Sequence, residues 1–318
     1  MKKIFLALLS SCVLHSSVHA AENLRIGFPN LIASYISLPL GQKRGFFQEE
    51  GLQGEFIRMN PTVGLATLLT GEADYYTSIG PGVAAAIRGA PVKIVACYMP
   101  GPTATLIARP EFKSVRDLRG KTIGINAFGD NLEIIGRLIF KHFGLDPDKE
   151  IKFLPTGPTE SRLAVMKQGL VAAALGGPPA DFLGKKMGFV VLVRSYELFS
   201  FPVTGVLASD KKIKEKPDEI KRVIRAGIKA NRYIRQNRDG AIQVMMEWMK
   251  IDKEMATATY DSVGKAFNED GSLPEDGLRL LIEEAKKATK LNREIASSEV
   301  ADLSILREAQ RELGIKSK

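Results

Sequence analysis

The sequence predicts an α/β protein of two lobes, each a mainly parallel sheet with helices on both faces, followed by a helical C-terminal tail. Three observations carry this expectation. Strand-like and helix-like segments alternate through residues 24–98 and again through 121–194. Repeated βα units make parallel sheets, because each crossover helix returns the chain to the same end of the sheet. A lone strand pattern then appears at 203–209, and everything from residue 217 onward has helical periodicity.

In order, residues 24–29 read as a strand and 38–50 as a helix closed by Gly51. Residues 54–59 form the next strand, and 61–70 a helix with Leu65, Leu68 and Leu69 at i, i+3 and i+4. A strand at 74–79, a helix at 82–88 and a strand at 92–98 complete the first block. In the second block, strand 121–126 leads into helix 130–143, whose Leu132, Ile135, Gly136, Ile139 and Phe143 share one face. Strand 152–154, helix 159–168, strand 172–176, a short helix around Phe182 and strand 189–194 follow. The late strand brings the tail back to the first block, so the chain crosses between lobes twice, near 103–108 and 201–205. This divides the chain into a leader (1–20), one lobe made of 21–105 plus 203–318, and a second lobe of 106–202.

The leader stands apart from the rest. Lys2 and Lys3 are followed by an apolar run from Ile4 to Leu9, and Val18-His19-Ala20 places small residues at the −3 and −1 positions of a cleavage site after Ala20. This is the pattern of a secretory signal and predicts an exported, periplasmic protein. Leu9-Ser10-Ser11-Cys12 resembles a lipoprotein box, but the apolar run before it is shorter than such a signal carries, so release at Ala20 is favoured over acylation of Cys12.

Composition then narrows the function classes. The chain is 45% hydrophobic and 25% charged, the balance of a globular protein, and no stretch after the leader has the length of a membrane span. Removing the leader leaves Cys97 and His142 as the sole cysteine and histidine, which excludes an internal disulfide and leaves too few ligands for a Cys/His metal cluster. No cofactor or metal is expected. The net charge of +9 falls to +7 without Lys2 and Lys3, and much of it is concentrated at 211–238. On helix 217–236 an apolar stripe of Ile220, Val223, Ile224 and Ile228 faces away from Lys221, Arg222, Arg225, Lys229 and Arg232. Without interleaved aromatics this basic stripe reads as a solvated helix face rather than a nucleic-acid surface.

Several runs then carry a family resemblance. They are Leu24-Arg25-Ile26-Gly27-Phe28-Pro29, Gly45-Phe46-Phe47-Gln48-Glu49-Glu50-Gly51-Leu52, Leu69-Thr70-Gly71-Glu72-Ala73-Asp74, Gly89-Ala90-Pro91-Val92-Lys93-Ile94 and Phe143-Gly144-Leu145-Asp146-Pro147. The most specific is Ser114-Val115-Arg116-Asp117-Leu118-Arg119-Gly120-Lys121-Thr122-Ile123-Gly124. Together, over roughly residues 22–250, the chain resembles the ABC-transporter solute-binding proteins of the sulfonate, taurine, nitrate and thiamine-pyrimidine-precursor group. The resemblance implies a type II periplasmic binding fold that captures a small molecule in the interlobe cleft, with a membrane permease and its cytoplasmic ATPase as partners. A monomer is expected, and export argues against a nucleic-acid partner.

Ligands of open α/β sheets sit at the carboxyl ends of the strands, so the candidate contacts lie in four loops. They are Asn30, Ser34 and Tyr35 in the first; Ser78, Ile79 and Gly80 in the second; Phe128, Gly129 and Asn131 in the third; and Gly177 and Pro178 in the fourth. Helix N-termini with small residues suit a sulfonate, phosphate or carboxylate. The third loop departs from the Gly-Ser-Ser cradle frequent in the resembled family, since Asp130 with Glu133 forms a capping pair that repels an incoming anion. Phe28, Tyr35, Phe128 and Phe201 instead offer stacking surfaces, which points away from a bare inorganic anion. Two other classes stay open on the sequence: an enzyme on the same fold, of the pyrimidine-precursor synthase or dehydratase type, and a ligand-sensing subunit.

Overall fold

A computed structural model describes residues 21–126, 128 and 131–316, so the leader lies outside the described residues. The chain forms two five-stranded sheets. The first contains β1 (Glu22–Phe28), β2 (Leu52–Arg58), β3 (Tyr75–Ser78), β4 (Val92–Met99) and β10 (Thr204–Ser209) in the order β2-β1-β3-β10-β4. The second contains β5 (Thr105–Ala108), β6 (Thr122–Ile125), β7 (Lys152–Pro155), β8 (Ala173–Gly176) and β9 (Val190–Arg194) in the order β7-β6-β8-β5-β9.

Both sheets are mixed, which refines the expectation of mainly parallel sheets. In the first, β1 pairs parallel with β2 and β3, but β10 runs antiparallel to β3 and β4. In the second, β6 pairs parallel with β7 and β8, while β5 runs antiparallel to β8 and β9. The reason is topological. β5 and β10 are the strands by which the chain enters each sheet from the other one, so they arrive from the opposite end to the strands delivered by helices.

The helices follow the sequence pattern closely, with one division. Residues 38–50 form two helices, α1 (Ser37–Lys43) and α2 (Phe46–Glu49), because Gly45 takes a left-handed φ of 84° that interrupts the run. The next three are α3 (Pro61–Thr70), α4 (Ile79–Ala86) and α5 (Asn131–His142). Asn60 caps α3 by accepting from the Val63 amide at 3.0 Å, and Pro61 stands at its first turn, where no amide hydrogen is required. α6 (Thr159–Lys167) and α7 (Ala180–Lys186) complete the second block. In the turn before β6 the Asp117 carboxylate accepts from the amides of Lys113 and Ser114, and Leu118 is buried beneath it. The tail comprises α8 (Asp210–Glu215), α9 (Pro217–Gln236), α10 (Arg238–Met249), α11 (Lys253–Val263), α12 (Glu275–Thr289), α13 (Ser297–Val300) and α14 (Ser304–Glu312).

The tail covers the first sheet on both faces. Ile220, Val223, Ile224 and Ile228 of α9 pack with Leu24, Ile26, Val95 and Val206. On the other face Leu278, Leu281 and Ile282 of α12 join Val83, Ile94 and Leu207. The second sheet has its own core around Leu106, Ile123, Ile125, Ile139 and Phe140. The basic stripe of α9 is ion-paired: Arg222 meets Glu22 at 2.7 Å, Arg225 meets Glu50 and Glu312, and Lys229 meets Glu49 and Glu50, both at 2.9 Å. These cations therefore fasten α9 to α2, β1 and α14. Among the described residues no helix is long and apolar enough to cross a membrane.

Candidate functional site

The two crossings between sheets run side by side. The Phe201 amide donates to the Pro100 carbonyl at 2.7 Å and the Val203 amide to Met99 at 3.0 Å. The Ser195 hydroxyl lies 2.8 Å from the carbonyls of both Pro102 and Ala104. Beside this paired segment lies a cleft of about 860 Å³, lined from both sheets.

Strand-end loops supply most of the polar lining. Asn30, Ser34 and Tyr35 come from the loop after β1, Ser78 and Gly80 from the junction of β3 with α4, and Gly177 and Pro178 from the loop after β8. The Tyr35 hydroxyl and Ser78 Oγ lie 3.4 Å apart, and Ser34 Oγ lies 3.3 Å from Thr103 Oγ1 on the crossing segment. Burial pushes the Tyr35 phenol above its ordinary value, partly opposed by the Ser78 hydroxyl, so Tyr35 enters any chemistry at neutral pH as a neutral hydroxyl.

The remaining predicted residues are placed differently. Ile79 is fully buried in the core with Val83 and Leu207, and its amide donates to the Val203 carbonyl at 3.1 Å. Phe128 is 62% exposed and does not line the cleft. Gly129 and the side chain of Asn131 lie outside the described residues. Of the four aromatics offered for stacking, Tyr35 and Phe201 line the cleft. Phe28 is buried against Trp248, with ring centroids 5.4 Å apart.

Three contributions escaped the sequence reading. Asn126 lines the cleft at the end of β6. The turn into α6 adds Pro158, Thr159 and the buried Arg162, whose guanidinium is held by the Thr159 hydroxyl at 2.9 Å and the Gly157 carbonyl. Pro158 followed by a Thr/Glu pair was a helix-start signal, so this loop was findable. One whole side of α12, including Leu281 and Ala285, also faces the cleft, and no local signal marks it. Cys97 lies fully buried in β4, where burial pushes its thiol well above the usual range. Among the described residues no cluster of His, Cys, Asp and Glu could hold a metal ion.

Two five-stranded mixed sheets joined by paired crossings, with a cleft between them, define the two-lobed fold of the periplasmic binding proteins. The chain belongs to the NMT1/THI5-like family, whose description matches residues 33–241. A binding protein of Brucella abortus is 25% identical over 262 residues, covering 79% of this chain and 80% of its own. The periplasmic sulfonate-binding protein SsuA of Methylobacillus flagellatus has the same fold, with a TM-score of 0.75 at 16% identity, covering 94% of this chain and 97% of that one. The desulfurization enzyme DSZB also shares it, with a TM-score of 0.64 at 15% identity, covering 91% of this chain and 99% of its own. The family resemblance read from the sequence is thus borne out, and the fold alone accommodates both binders and an enzyme.

Proposed function

We propose that this protein is the extracytoplasmic solute-binding component of an ABC importer, closing its two lobes around a small organic ligand without altering it. One observation carries the reading: the cleft is lined from both sheets and lies beside two hydrogen-bonded crossing segments, which serve as the hinge. The lobes are residues 21–105 plus 203–318 and residues 106–202, with Thr105, the first residue of β5, at the boundary. A ligand touching both lobes gains contacts on closure and shifts the population toward the closed form. The leader directs the chain to the periplasm, where a permease and its ATPase receive the loaded, monomeric protein.

The lining favours an organic ligand over a bare inorganic anion. Hydroxyls and amides of Asn30, Ser34, Ser78 and Thr103 accompany aliphatic side chains such as Ile32, Leu132 and Ile135. Burial of Cys97 in a strand, and the position of His142 on an exposed turn of α5, support binding over nucleophilic chemistry. The test is a thermal-shift screen of sulfonates, carboxylates and heterocycles, followed by small-angle scattering and mass spectrometry on each hit. Compaction with the compound recovered unchanged is the expected result. A chemically converted product makes the protein an enzyme, and tight binding with an unchanged radius removes the clamp.

A further inference from the structure

The wall that α12 brings to the cleft differs in kind from the strand-end loops. Leu281, Glu284, Ala285 and Ala288 stand at i, i+3, i+4 and i+7 and so form one helix face toward the cleft. The helix begins at Glu275, beyond the residues matched by the family description. Leu281 is buried, and its Cδ1 lies 3.9 Å from where a Cβ would stand on Gly80, so it packs on the first turn of α4. Ala84 on α4 and Ala285 and Ala288 on α12 add methyl groups to the same cleft lining. The Glu284 carboxylate is engaged by Lys287 at 2.5 Å. Across the cleft, Ile134 of α5 packs against the same cluster.

A charged or strongly hydrated group placed in this part of the cleft would lose water and meet hydrocarbon, whereas an alkyl group would lose nothing. At the first turn of α4 the leucine methyl lies beside Gly80, so hydrocarbon flanks the backbone there. We propose that Leu281 is a specificity-determining residue: the ligand carries an aliphatic segment that lies in the cleft along the seam where α12 packs on α4, and the Leu281 side chain sets the length admitted. The inference rests on the binding function proposed above and adds which end of the ligand lies where.

The experiment titrates a homologous series of straight-chain carboxylates, and the matching sulfonates, into the whole protein and its variants by calorimetry. For the wild type, affinity should climb by about fourfold per methylene, which is ~0.8 kcal/mol, up to one chain length and then fall. Leu281→Ala should move that optimum toward longer chains by roughly two or three carbons, the size of the group removed. Leu281→Phe should move it toward shorter ones. Leu281→Met, which nearly conserves volume, should keep the wild-type optimum, so the proposal is tested even where the alanine variant fails to fold. An optimum common to all variants, or wild-type affinity independent of chain length, overturns the proposal. If instead the protein compacts around a ligand without any aliphatic segment, the clamp stands and this inference falls. Failure to close on any compound removes both.

Discussion

The two lobes share one strand plan and differ in what covers it. Each sheet has three parallel strands, then the antiparallel strand arriving from the other lobe, then an outer strand. The second sheet is covered by helices that connect its own strands, α5, α6 and α7. The first is covered in addition by the chain that follows β10, with α9 on one face and α12 on the other. Equal ladders therefore give unequal cleft walls. Lobe 2 offers mainly loops and helix ends, whereas lobe 1 adds the side of a helix. The ladder provides a frame common to binders and an enzyme, and the covering helices make this cleft its own.

The largest expected effect breaks the equality of the two crossing strands. In β10 a Cβ on Gly205 would stand 2.0 Å from the Ala96 carbonyl oxygen of β4, so Gly205→Ala should cost about 3 kcal/mol as the ladder is forced apart. The crossing strand of the other lobe carries side chains throughout, and Ile107→Val at its centre should cost only about 1 kcal/mol. Urea denaturation of both variants measures the pair. Equal losses would mean that β10 has room the geometry denies it.

An intermediate effect concerns electrostatics. Burial would raise the Glu50 carboxyl, but Arg225 and Lys229 outweigh it and hold the group below 4.5. Lys221 and Arg225 hold Glu312 low as well, and Arg222 does the same for Glu22. Folded values below the unfolded ones mean that this stability is complete above about 4.5 and is lost as pH falls through the lowered values. Glu50→Gln should therefore melt below the wild type at neutral pH, and the gap should close on acidification. In lobe 2 the low Asp117 carboxyl is held by backbone amides of its own turn, so Asp117→Asn disturbs a local turn and not a link between helices. Thermal melts across pH separate the two cases. A gap that stays constant to strong acid would show that the α9 ion pairs add no pH-dependent stability.

The smallest effect is at Phe128. With its ring 62% exposed, Phe128→Ala should change stability by no more than about 0.5 kcal/mol. Calorimetric titration of the same variant with a hit from the ligand screen then tests the site. Unchanged affinity would remove Phe128 from it, and a clear loss would show that the ring folds inward on closure.

Periodicity alone determined the existence and type of nearly every element. The α9 stripes, the Pro61 start of α3 and the turn around Asp117 are local features, and each has a physical cause within a few residues. Positions at strand ends followed as well, so Asn30, Ser34, Tyr35, Ser78, Gly80, Gly177 and Pro178 stand at the cleft because chain direction in a βα unit dictates which loops gather there. Side-chain direction within a loop has no such local cause. Ile79 and Phe28 turned into the core and Phe128 toward water for reasons set by neighbours far along the chain. The cleft face of α12 is the clearest case. Leu281 and Ala285 have the spacing of any helix packed on a sheet, and only the return of the tail to the first lobe places that face beside α4 and opposite α5. Local pattern decides what a segment becomes, while long-range packing decides what it touches, because burial is shared between segments distant in sequence.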